Sequence, residues 1–325
     1  MRHVDLQFTD VLGSVKTVTI PSQQLGDAME HGTWFDGSSV EGFARTAESD
    51  MYLVPDPSTF QVLPWAAEPT ARIICWAVSP DGEPYPGDPR GALRRAIERA
   101  AQLGYEYRVG PELEFFLLDR GADGAPTPPA HDRASYFDFS TDSSVGVRQA
   151  MVSALQAVGI EVNTSHHEVA GGQHEIDIGA ASVLKAADDV VTLRYALKAV
   201  AQRFNVIATF MPKPFDGAPG SGMHVHQSLT RASDGANLFS GANDYGLTEL
   251  AEHFIAGQLH HAAGMCAVLA PLVNSYKRLV RGFEAPIFVS WARTNRGALI
   301  RVPHVGRQEA ARVELRSPDP SCNPY

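Results

Sequence analysis

Gly110-Pro111-Glu112-Leu113-Glu114-Phe115-Phe116-Leu117-Leu118 is an apolar run bounded by Gly-Pro on one side and Asp119-Arg120-Gly121 on the other, the pattern of a buried strand. It nevertheless carries two glutamates two positions apart, which strand geometry sets on one face roughly 7 Å apart. Like charges do not enter a core for packing. Buried carboxylates need compensating cations, and a metal ion is the most economical one. An edge strand whose glutamate face meets water satisfies the same pattern. What else in the chain converges on this strand decides between the two.

The chain around it has 325 residues, 44% of them hydrophobic, enough for two domains. Its 27 Lys+Arg against 37 Asp+Glu give a formal charge of −10, which argues against a general nucleic-acid or membrane-surface binder. An anionic substrate must then be met by a local basic cluster. Cys75, Cys266 and Cys322 are far apart and form no Cys-x-x-Cys pattern, so neither a disulfide framework nor a thiolate zinc site is expected, and a reducing, cytoplasmic setting fits. The alternating residues after Met1 do not resemble a signal peptide. The apolar run Ala262 to Val273 is broken by Gly264 and Pro271 and is too short to span a bilayer.

In order, Val4 to Phe8 and Val15 to Ile20 read as a hairpin, followed by a short helix over Gln23 to Glu30 and strands at Met51 to Val54, Phe60 to Leu63 and Arg72 to Val78. The polar loop Asp36-Gly37-Ser38-Ser39 between them shows no packing role. Ser79 to Gly87 concentrates turn formers and marks a domain junction, giving domains 1–87 and 88–325. Asp88 caps a helix with Pro89 at its first position and Gly104 after its end. Helices over Val145 to Val158, Ala187 to Arg203 and Leu247 to Ala270 then alternate with strands at Ile160 to Asn163, Val206 to Met211, Ile287 to Ser290, Ala298 to Val302 and Ala311 to Leu315.

Ionisable groups collect at four further places. In His166-His167-Glu168-Val169-Ala170-Gly171-Gly172-Gln173-His174-Glu175-Ile176-Asp177, two glutamates flank a double glycine; such a hairpin either aims both carboxylates at one point or is simply solvated. In Gly220-Ser221-Gly222-Met223-His224-Val225-His226, the glycines let backbone approach a ligand and the two histidines share a strand face. A mostly carboxylate site with one imidazole suits Mg²⁺ or Mn²⁺. The loop Asn274 to Pro286 is basic but holds Glu284. Arg293, Arg296, Arg301, Arg312 and Arg316 surround Glu314 and match a clamp for carboxylate and phosphate oxygens. If Glu112, Glu114, Glu168, Glu175 and Glu314 gather, two divalent ions and the arginines bring a triphosphate and a carboxylate substrate near electrical balance. A metallohydrolase satisfies the same residues.

Trp34 to Ser39, Glu48-Ser49-Asp50-Met51, Gly110 to Phe116, His166 to Glu175, Gly220 to His226, Asn274 to Pro286 and Arg312 to Tyr325 carry, in order, a resemblance to the type I glutamine synthetase family. The resemblance implies an α+β fold: a β-grasp N-terminal domain, then a catalytic domain with a curved antiparallel sheet flanked by helices. It implies an ATP-dependent ligase that makes glutamine from glutamate and ammonia through γ-glutamyl phosphate, with two or three Mg²⁺ or Mn²⁺ ions per site. Two stacked hexameric rings with active sites between subunits are implied as well. By position, Glu114, Glu168 and Glu175 would hold the metal nearer the substrate, and Glu112, His224 and Glu314 the one nearer the nucleotide. Arg278 and Arg316, with Gly220, would fix glutamate; Ser228, Arg296, Arg301 and Arg312 would face the nucleotide phosphates. Asp36, Tyr136 and Glu284 would form the ammonium pocket, with Asp36 and Ser39 serving the next subunit.

The sequence departs from the family pattern in three ways. Pro219 replaces an asparagine that contacts glutamate, and Arg281 replaces a proline in the closing loop. The family's helical C-terminal region would follow Asn323-Pro324-Tyr325, where this sequence stops, so a shortened chain with reduced stability or altered assembly is expected. The first two departures leave open a γ-glutamyl-amine or polyamine ligase; a non-catalytic structural or regulatory relative is the alternative from another class.

Overall fold

A computed structural model describes residues 1–40, 42–43, 50–130 and 132–325. Glu48 and Ser49 of the quoted Glu48–Met51 motif lie outside the described residues. Near the N-terminus, β1 (His3–Thr9), β2 (Val15–Pro21), α1 (Leu25–His31), β3 (Thr33–Asp36), β4 (Asp50–Pro55), β5 (Gln61–Val62) and β6 (Thr70–Val78) build one sheet in the order β2-β1-β6-β4-β3, with β5 also on β6. β1 and β6 run parallel at its centre, and Val4, Leu6, Phe8, Phe35, Leu53 and Ile73 pack its core.

After the turn-rich 79–88 segment come α2 (Pro89–Gln102), β7 (Tyr105–Arg120), β8 (Pro126–Thr127), α3 (Val145–Ala157), β9 (Val162–His167), β10 (Gln173–Ile178), β11 (Ala181–Ser182), α4 (Val183–Arg203), β12 (Val206–Thr209), β13 (Met223–Arg231), α5 (Glu249–Leu269), α6 (Ser275–Arg278), β14 (Phe288–Ala292), β15 (Ala298–Arg301) and β16 (Val313–Leu315). The Asp88 carboxylate accepts from Arg90 N at 3.1 Å at the head of α2, so the sequence-level cap is the real one.

The opening stretch is no edge strand. β7 is the spine of a ten-stranded sheet ordered β14-β15-β16-β13-β7-β10-β9, and it also pairs with β8, β11 and β12. β13 and β12 share one of its edges, while β11, β10 and β8 share the other. Every pairing in this sheet is antiparallel except β14 with β15. Alternation along β7 then sorts its side chains: Leu113, Phe115 and Leu117 enter a core with Met151 and Leu155 of α3 and Leu193 and Leu197 of α4. Glu112 and Glu114 face the other way. A second core lies where α5 covers β13, β15 and β16.

The two domains are tied by charge at their junction. Arg90 makes two hydrogen bonds to Asp188, at 3.0 and 2.8 Å, and one to Asp56 at 2.8 Å, while its guanidinium lies 3.9 Å from the Trp76 ring centre. No helix among the described residues is long and apolar enough to cross a membrane.

Candidate active site

The Glu-bearing face of β7 floors a cavity of about 1120 Å³. Sheet register assembles it in rungs. Glu112 lies opposite His224 of β13 on one side and Asp177 of β10 on the other; Glu114 lies opposite Glu175, which itself lies opposite His166 of β9. On the outer strands, Glu314 of β16 lies opposite His226 of β13 and Arg301 of β15. Four donor sets result among the described residues, each with ligand atoms within 4.8 Å of one another: Glu112, His224 and Glu314; Glu114, Glu175 and His224; His166, Glu168 and Glu175; and Glu112, Glu175 and Asp177.

The two ends of this floor differ in charge compensation. Burial alone would raise Glu112, but hydrogen bonds from His224 and His226 hold its carboxyl well below the usual range. His226 Nε2 stands 2.5 Å from Glu112 Oε1. Glu314 is fully buried and also held low: burial opposes its charge, but His224, Arg316 and His226 outweigh it. Arg301 Nη1 lies 2.5 Å from one of its oxygens, and Arg316 bonds the other. At the opposite end, burial and the Glu114 carboxylate push Glu168 up to about 8, and burial with Glu114, Asp177 and Glu112 pushes Glu175 higher still. Asp177 is raised as well, chiefly by burial, and its Oδ1 is buried without a hydrogen-bond partner.

Crowded carboxylates that resist ionisation, with mostly hard oxygen donors and no more than one imidazole in each set, are donors suited to Mg²⁺ or Mn²⁺. The residues fit such ions.

Local backbone explains how the walls come so close. Glu114 accepts from Gly222 N at 2.9 Å and from Gln173 Nε2 at 3.1 Å, and Gln173 Nε2 reaches Gly220 O at the same distance. A Cβ at Gly220 would stand 2.4 Å from the backbone Pro212 O, so glycine is required there; one at Gly222 would stand 2.6 Å from Arg278 Nη2 and would have to displace that guanidinium. Across the mouth, Glu284 follows Gly282 on a loop where both have positive φ, +55° and +98°. Tyr136 and Phe137, which also line the cavity, stack with centroids 3.9 Å apart.

Of the residues singled out in the sequence, Glu112, Glu114, Glu168, Glu175, His224, Glu314, Gly220, Tyr136, Glu284, Arg278, Arg296, Arg301, Arg312 and Arg316 all line the cavity. Ser228 sits farther along β13, opposite Arg108, and does not. Asp36 and Ser39 do not line it either. The loop they occupy does have a local role: Asp36 accepts from Ser38 N at 2.9 Å and from both serine hydroxyls, capping a short 3-10 turn. Arg278 is buried, with both terminal nitrogens donating to the carbonyls of Arg316, Ser317 and Pro318.

His166, Gln173 and Asp177 stand in the quoted stretch without an assigned role, yet all three line the cavity. The period-two rule was enough to find His166 and Asp177, which alternate onto the same face as Glu168 and Glu175.

Residues 1–80 match the family model of the glutamine synthetase β-grasp domain, and residues 86–325 that of the glutamine synthetase catalytic domain. The chain belongs to the glutamine synthetase family. Its whole length aligns at 50% identity with the glutamine synthetase of Thermus thermophilus, covering 74% of that protein. With the glutamine synthetase of Halobacterium salinarum it shares 49% identity over 98% of this chain and 71% of the relative. Among solved structures, the glutamine synthetase of Plasmodium falciparum superposes with a TM-score of 0.91 at 26% identity, over all of this chain and 69% of that one. A ligand-free GmaS superposes at 0.89 with 31% identity, over all of this chain and 75% of that one. The glutamine synthetase fold and the ligase class expected from the sequence are thereby borne out.

Proposed function

We propose that the cavity over β7 joins glutamate to ammonia at the expense of ATP, and that its two ends divide the work. The observation that carries this reading is the asymmetry of the floor: the Glu112–His224–Glu314 end is backed by arginines, whereas the Glu114–Glu168–Glu175 end holds excess carboxylate. Two or three Mg²⁺ or Mn²⁺ ions held by these sets would neutralise phosphate and carboxylate charge.

Arg301 and Arg312 at the arginine end, and Arg296 from beside Tyr136 and Glu284, face the phosphate oxygens, and their fixed positive charge lowers the cost of charge build-up during in-line attack by the γ-carboxylate of glutamate. Ser228 would meet the nucleotide from β13. Arg316 orients glutamate while holding Glu314; Arg278 shapes the wall at Gly220 and Gly222. Ammonia then displaces phosphate from γ-glutamyl phosphate. Tyr136 and Glu284 line the acceptor end, and the Glu284 loop keeps water from the acyl phosphate. Asp36 and Ser39, remote from this chain's own cavity, complete a neighbouring subunit's ammonium pocket in a homo-oligomer of stacked hexameric rings. Residues 1–87 and 88–325 serve as the two functional units.

A second reading, a γ-glutamyl-amine ligase, is favoured by Pro219, which offers no side-chain hydrogen bond at the substrate end, and by the stacked Tyr136–Phe137 pair at the rim. Phosphate release from ATP, measured with glutamate plus ammonium or plus a panel of amines in Mg²⁺ and in Mn²⁺, tests both. Stimulation by ammonium supports the first reading; stimulation only by amines replaces it with the second, and none with any acceptor defeats both.

A further inference from the structure

Behind the hairpin that carries Glu168 and Glu175 lies a buried polar cluster that no step above uses. Asp132, Asp142, His167 and His174 stand close together there, all buried. It is not a second metal site. Arg148 already occupies it, with Nη1 2.6 Å from Asp142 and 3.0 Å from His174 Nδ1, and both ring nitrogens of His167 are engaged.

Those two engagements are informative. His167 Nε2 lies 3.1 Å from both oxygens of Asp132, and Nδ1 lies 2.6 Å from the carbonyl oxygen of Glu168. The Asp132 carboxylate also accepts from Gly172 N at 3.0 Å, at the tip of the hairpin, and from Ala134 N at 3.1 Å. One buried pair thus fixes the backbone of Glu168, the turn that leads back to Glu175, and the start of the loop bearing Tyr136. The His167 carbonyl accepts from Phe137 N at 3.2 Å, where Phe137 has a φ of +63°. A left-handed backbone at a bulky residue persists only where its surroundings over-determine it.

We propose that Asp132 and His167 form a positioning pair that sets the Glu168–Glu175 carboxylates for the substrate-side ion, an inference that rests on the assignment of those two glutamates as its ligands. Carboxylate–histidine pairs behind a metal set commonly change metal affinity 10- to 100-fold when broken.

The test titrates Mn²⁺ alone onto the nucleotide-free protein and reads free Mn²⁺ by electron paramagnetic resonance, for wild type, Asp132→Asn, Asp132→Glu, His167→Gln, the double variant Asp132→Asn/His167→Gln and Glu175→Gln, with circular dichroism as the check on folding. Loss of a bound ion in Glu175→Gln supports the ligand assignment; an unchanged ion count there overturns that assignment instead. Given that loss, the expected result is a drop in Mn²⁺ affinity of about 10- to 100-fold in Asp132→Asn and His167→Gln, with the double variant no weaker than either single one. If Asp132→Asn fails to fold, Asp132→Glu, which keeps the charge but moves it by one methylene, is expected to show the same loss. Wild-type Mn²⁺ affinity in any folded Asp132 or His167 variant, even with a lowered melting temperature, overturns the inference.

Discussion

Glu112 of β7 and His224 of β13 face each other across one antiparallel rung, with the imidazole Nδ1 3.4 Å from the carboxylate Oε2. Two residues along β7, Glu114 reaches the same ring from its other nitrogen, Oε1 standing 3.8 Å from Nε2. One histidine therefore separates two carboxylates that share a strand face.

The first prediction follows from that separation. Glu112→Ala and Glu114→Ala should each abolish ligase activity, but Glu112→Ala should weaken binding of the metal–ATP complex at least about tenfold more, or ~1.4 kcal/mol. Calorimetric titration with the metal complex of a non-hydrolysable ATP analogue measures this. Equal nucleotide affinity in the two variants counts against a division of the floor into nucleotide and substrate ends.

Glu314 provides a second test, because it is wholly buried between Arg301 and Arg316. Arg316→Met leaves that carboxylate short of a partner and should destabilise the fold by about 3 kcal/mol. Adding Glu314→Leu should restore much of the stability while leaving the enzyme dead. Chemical denaturation of wild type and the two variants decides the point, and an Arg316→Met variant as stable as wild type would show that the pair contributes little.

Proton release on metal binding is the third. With its carboxyl raised from 4.5 to about 8 by burial and Glu114, Glu168 holds a proton at pH 7 in the metal-free protein, and a metal ligand must lose it. Metal affinity should rise with pH through this range, and binding heats at pH 7 should differ between buffers of different ionisation enthalpy. The linkage sign is fixed too: a carboxyl raised in the folded state binds protons more tightly than in the unfolded chain. Its contribution to the stability of the metal-free protein falls as pH rises from 4.5 to about 8. Buffer-independent binding heats would contradict the assignment.

Asp56 behaves in the opposite sense. Burial raises its carboxyl, but hydrogen bonds from Ser58 and Arg90 outweigh this and hold it below its usual 3.8. Its stabilising share is complete above that value and is lost as pH falls through the lower folded-state one. Asp56→Asn should therefore flatten the acid limb of stability below about pH 4. Urea midpoints across a pH series measure it, and an unchanged limb would place the acid sensitivity elsewhere.

Much of the floor was legible because strand periodicity is local: Glu112 with Glu114, Glu168 with Glu175 and His224 with His226 each follow from alternation within a few residues. That β7 is a spine instead of an edge was not legible, since its neighbours come from residues as distant as Met223 and Gln173 and no local pattern specifies them. Arg278 shows the same limit. Resemblance assigned it to glutamate, yet the fold brings the carbonyls of Arg316 to Pro318 within reach of its guanidinium, a contact that exists only once both segments are in place. Strand edges differ from the sequence expectation by up to several residues, as at β9, which starts at Val162 instead of Ile160 and runs on to His167 instead of ending at Asn163. There the hairpin's polar face replaces the apolar signal that marks a strand.

The sixteen residues of β7 act as a common ruler for both ends of the cavity. Glu112 and Glu114 keep their separation whatever the rim does, because five other strands hydrogen-bond to the same backbone. The rim is instead made of loops, at Tyr136–Phe137, Pro219–Gly220 and Gly282–Glu284. With the acceptor placed at this rim as proposed, acceptor range and phosphoryl chemistry would be mechanically separable: substitutions at the rim would widen or narrow the choice of amine without altering the spacing on which activation of glutamate depends.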